Sequence, residues 1–126
     1  MTENNVTHNI KLLDHINSAC IEILNALSDT FENTTNDQYK EDINKDMVTL
    51  ENLKHIVSAV KKDIESKTVG ASTELLLRIA ANDFNNKLAL IPEKKTLRNE
   101  ITDSLIEVHS NLLHHHRVKE RHRDEY

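Results

Sequence analysis

The chain has 126 residues, with one glycine, one proline, one cysteine, no tryptophan and a formal net charge of −5. That length can enclose a single hydrophobic core without cross-links, and a lone cysteine excludes an intrachain disulfide framework. Scarce turn residues and aromatics argue against a sheet protein, and net acidity argues against wholesale nucleic-acid binding.

An all-α chain is therefore expected, and its first helix should run from about Thr7 to Phe31. Val6, Ile10, Leu13, Asn17, Cys20, Leu24, Leu27 and Phe31 follow one another at alternating steps of four and three, the spacing of a helical seam. Leu12, Ile16, Ala19, Ile21, Ile23 and Ala26 widen it into the stripe of a helix with several neighbours. Asn17 has two readings: a buried residue that fixes register, or an edge residue beside Ile16, which fills the core.

After Glu32-Asn33-Thr34-Thr35, Thr35 and Gln38 match the S/T-x-x-E/Q capping box. A second helix is expected from residue 36 to about Lys67. Ile43, Leu50, Val57 and Ile64 recur every seven residues, with Leu53 and Val60 between them and Met47 and Ile56 beside them. This is the most coiled-coil-like stretch of the chain. Continued onward, the pattern would put Lys67, Glu74 and Arg78 in the seam. A turn at 68–71 is the better expectation, with Gly70 just past the helix end and Ser72 capping the next start. A single helix kinked at Gly70 is the alternative.

The third helix, about 72–90, carries Leu76, Leu77, Ala80, Phe84, Leu88 and Ile91 along one side. Pro92 ends it and suits the first position of the fourth. That helix, about 92–113, has Leu97, Ile101, Leu105, Val108 and Leu112 in its stripe, widened by Ile106 and Leu113. Residues 114–126 form a charged, histidine-rich tail with four basic, three acidic and four histidine side chains. Helical extension and disorder are both open for it.

Residues 1–113 are thus expected to form one helical bundle domain. Short connections favour an up-down-up-down four-helix bundle, or elongated helical hairpins with coiled-coil character. The second helix would be about 48 Å long and the third about 27 Å. The first hairpin should then overhang at its tip, leaving apolar side chains for a partner. The candidate partner-binding residues are Ile16, Ile21, Ile23, Leu24, Leu27, Phe31, Tyr39, Ile43 and Met47. They would join a protein partner, in a homo- or hetero-oligomer, through the first two helices.

Chemistry is hard to assemble from this sequence. His114, His115 and His116 are adjacent, so on a helix they point about 100° apart. Helical chelation needs spacings of three or four, which no histidine pair here has. Glu51 lies four before His55 and Glu107 two before His109, neither of them the Glu-x-x-His of dinuclear bundles. Cys20 sits in the first seam, where a thiol packs as a small hydrophobe. One glycine cannot build a phosphate loop or a nucleophile elbow. Asp42 with Asp46, and Asp103 with Glu107, read as solvated surface. No catalytic, cofactor or metal residue is expected.

No apolar run approaches the roughly 18–20 residues of a membrane span. Met1 to Asn5 lacks the pattern of a secretory signal, so an intracellular setting, cytoplasmic or nuclear, is expected. The leading expectation is a non-enzymatic helical protein–protein interaction subunit, a scaffold, adaptor or small component of a complex. The alternative is a small nucleic-acid-associated or transcription regulator that contacts its target through the tail, with Arg117, Lys119, Arg121 and Arg123 on phosphate.

Overall fold

The computed structural model describes the backbone of residues 3–87 and 95–124, and the side chains of 3–86 and 96–114. Four helices follow one another: α1 (Glu3–Asn33), α2 (Asp37–Glu65), α3 (Ala71–Lys87) and α4 (Lys95–Asp124). No strand occurs among the described residues. Helix α1 packs on α2 and α4, and α3 packs on the same two. The backbones of the diagonal pairs α1/α3 and α2/α4 do not approach closely among the described residues. The four helices therefore form a closed ring around one interior.

That interior is the apolar stripe of each helix. Leu13, Ile16, Cys20 and Ile23 of α1 are fully buried, as are Ile43, Leu50 and Val60 of α2. Leu77 and Phe84 of α3 join them, with Ile101, Val108 and Leu112 of α4. Burying each large side chain contributes about 1.5–3 kcal/mol, so packing, and not helix propensity, holds the ring. Asn17 is only half-buried whereas Ile16 is fully enclosed, so Ile16 fills the core and Asn17 is its edge.

Helix α1 begins at Glu3 rather than Thr7. The acidic Glu3 suits the positive helix start, and the Thr7 hydroxyl donates to the Glu3 carbonyl at 3.1 Å. The capping box expected at Thr35 is displaced by one residue. Asn36 is the N-cap of α2, and its side-chain oxygen accepts from the Tyr39 amide at 3.0 Å. Gln38 turns outward to Asp42 instead. Asparagine caps better than threonine, which accounts for the shift.

The break near Gly70 also differs from expectation. Helix α2 ends at Glu65, and Lys67 takes the left-handed conformation with φ 59°. The Lys67 amide donates to the Ile64 carbonyl at 3.2 Å, and the Thr68 amide to Asp63 at 2.9 Å. Those two bonds satisfy carbonyls left open at a helix end. Gly70 has no positive φ. Its carbonyl accepts the first bond of α3, from the Glu74 amide at 3.2 Å. The Thr73 hydroxyl accepts from the Gly70 amide at 3.3 Å and donates to Asp63 Oδ2 at 2.7 Å. Gly70 thus caps α3, a role expected of Ser72, and Thr73 ties that start to the last turn of α2.

The expected end of the third helix at Pro92 lies outside the described residues. Helix α4 runs unbroken to Asp124, so the backbone of 114–124 is a helical extension. His8 of α1 meets Glu107 of α4 at 2.8 Å, and Glu74 of α3 meets His109 at 2.6 Å.

Candidate functional site

The nine side chains expected to meet a partner divide sharply. Ile16, Ile23, Leu24, Leu27 and Ile43 are all buried. They occupy the inward sectors of α1 and α2, stepping by three and four with Cys20, and a core position cannot also be a docking position. Met47 is half-buried and packs on the core. Ile21, Phe31 and Tyr39 remain at the surface. Phe31 is partly engaged, because the Lys40 ammonium lies 5.3 Å from its ring centre, a cation–π contact that closes the hairpin tip.

More exposed apolar side chains lie elsewhere. On α3, Leu75, Leu76 and Ile79 are 43 %, 41 % and 46 % exposed, and Ile106 of the neighbouring α4 is 57 % exposed. Among the described residues, α3 packs on α2 and α4 alone. Its inward sector is already filled by Thr73, Leu77, Ala80 and Phe84. Leu75 and Ile79, one turn apart, lie on the opposite side of the helix from Leu77. Leu76 lies toward the α2 side. The expectation that Leu76 belongs to the core stripe, and that Ile106 merely widens that of α4, is corrected here. The signal in the sequence is the excess of apolar residues in Leu75-Leu76-Leu77-Arg78-Ile79, more than one helix face can bury.

Polar contacts bridge α4 to α1 and to α3. His8 meets Glu107 and His15 meets Glu100 across α1 and α4, all four side chains about half exposed. His109 and Glu74 form a closer, more buried contact across α3 and α4. Asn85 of α3 accepts from Thr102 at 3.3 Å through its side chain and from Arg98 at 3.4 Å through its carbonyl. Each of the three histidine contacts joins a single imidazole to a single carboxylate. No group of three or more His, Cys, Asp or Glu side chains suited to a metal ion occurs among the described residues.

Cys20 is fully enclosed, and burial pushes its thiol up to about 12, opposed by the nearby Lys54 charge and reinforced by Glu51. A thiol so far from ionising, with no solvent access, is a packing group and a poor nucleophile. Thr49, Asn52, Leu53 and Ile56 of α2 face Ala80 and Asp83 of α3 around a cavity of about 30 Å³. That is the scale of one water, well below the roughly 300 Å³ at which small-molecule sites begin.

Arg117, Lys119, Arg121 and Arg123 all fall within α4. Lys119 and Arg123 are one turn apart, as are Arg117 and Arg121; their side chains lie outside the described residues. No helix of the described residues is long and apolar enough to cross a membrane. Comparison with known protein families, with curated proteins and with solved structures finds no match.

Proposed function

We propose that this chain is a non-enzymatic, intracellular protein–protein interaction subunit, an up-down-up-down four-helix bundle that docks through its surface. The observation that carries the reading is the exposed apolar surface of α3, where Leu75 and Ile79 on the outward side and Leu76 toward α2 stand more than two-fifths exposed. Scattered exposed apolar side chains are ordinary, but clustered ones usually mark contact sites.

The helix order is supported by the cross-helix pairs. Moving from His8 to His15 on α1 moves the partner from Glu107 back to Glu100 on α4, the relation of antiparallel neighbours. From Glu74 to Asn85 on α3, the partner on α4 moves back from His109 to Thr102. Asp14, in the first half of α1, pairs with Lys61, near the end of α2. The setting is supported by Cys20 alone, a free buried thiol that suits a reducing compartment.

The test is affinity purification at native expression level with the wild type and with a Leu75→Ser/Ile79→Ser variant, beside light scattering of both purified proteins. The expected result is a partner, or a second copy of the chain, that the wild type holds and the variant loses while its helical content stays unchanged. A wild-type monomer at micromolar concentration, with the same co-purifying proteins as the variant, overturns the proposal.

A further inference from the structure

We draw no further inference here: the strongest candidate, the apolar patch of Leu75, Leu76 and Ile79 on α3 beside Ile106 of α4, belongs to the surface already described, and nothing in the structure shows what covers it.

Discussion

Asn111 of α4 donates its side-chain amide to the side-chain oxygen of Asn9 on α1 at 2.8 Å, and Asn9 is wholly shielded from solvent. Two asparagines thus face each other between helices whose other inward residues are almost all aliphatic. A buried amide is costly unless bonded, so the bond between the pair favours one alignment of α1 against α4.

Replacing Asn111 by Ala removes the donor and is expected to cost about 0.5–1.5 kcal/mol in urea denaturation, from the lost hydrogen bond to Asn9 Oδ1. Asn9→Ala and the double variant complete a thermodynamic cycle. A coupling of about 0.5 kcal/mol or more is expected for directly bonded groups. Additive losses would show that the two amides do not act together.

Lys67 and Gly70 are in roles opposite to those their residue types suggest. Lys67 holds the left-handed φ of 59°, a conformation costing a side-chain-bearing residue roughly 1–2 kcal/mol. A Cβ built on Gly70 meets nothing within 4 Å. Lys67→Gly is therefore expected to raise stability by about 0.5–1 kcal/mol, after allowing for the greater freedom of glycine in the unfolded chain. Gly70→Ala is expected to change it by less than about 1 kcal/mol, since freedom lost from the unfolded chain offsets the poorer cap. Thermal melts of both variants decide it: a loss for Lys67→Gly, or a collapse for Gly70→Ala, contradicts the described turn.

The helical class and the core were legible because the period of an amphipathic helix is written in single residues. Leu50, Val57 and Ile64 stand seven apart in the sequence and are all buried. Boundaries were less legible, since competing caps differ by one residue, as Thr35 and Asn36 do, and a left-handed lysine leaves no mark in composition. The surface was least legible. Periodicity identifies a stripe but not how much of it the neighbours cover. Leu24 and Ile43, candidates for a partner, are enclosed, whereas Leu75 and Ile79 lie on the side of α3 opposite its buried Leu77.

Cys20 and Lys61 set the direction of alkaline sensitivity. Both are raised in the fold, Cys20 by burial and Lys61 by its hydrogen bond to Asp14 at 3.0 Å. A group raised by folding holds its proton more tightly in the folded chain. Its contribution is whole below the unfolded pKa and is lost as pH rises through the folded one. For the thiol that window runs from about 9 to about 12. Wild-type stability is thus expected to fall between pH 9 and 11 by about 2–3 kcal/mol more than that of Cys20→Ala, at about 1.4 kcal/mol per proton per pH unit. Identical pH profiles would mean that the thiol ionises as freely folded as unfolded. Labelling by a thiol reagent at pH 8 is expected only at the rate at which α1 opens, and immediate labelling would contradict the enclosure of Cys20.

Neighbouring leucines on α3 provide the sharpest contrast between inside and outside. Leu77 is fully enclosed whereas Leu75, two residues earlier, is 43 % exposed. Leu77→Ala is expected to cost about 2–5 kcal/mol, by lost transfer energy and the cavity left behind. Leu75→Ser and Ile79→Ser remove little buried surface. Each is expected to shift stability by no more than about 1 kcal/mol in the isolated chain, part of that from the helix propensity of serine. Urea titrations at two protein concentrations separate the cases. If the serine variants lose as much as Leu77→Ala at low concentration, the α3 face is already covered within the chain. If they lose stability only at high concentration, the wild type is gaining its extra stability from a second copy docked on that face, since association stabilises by mass action.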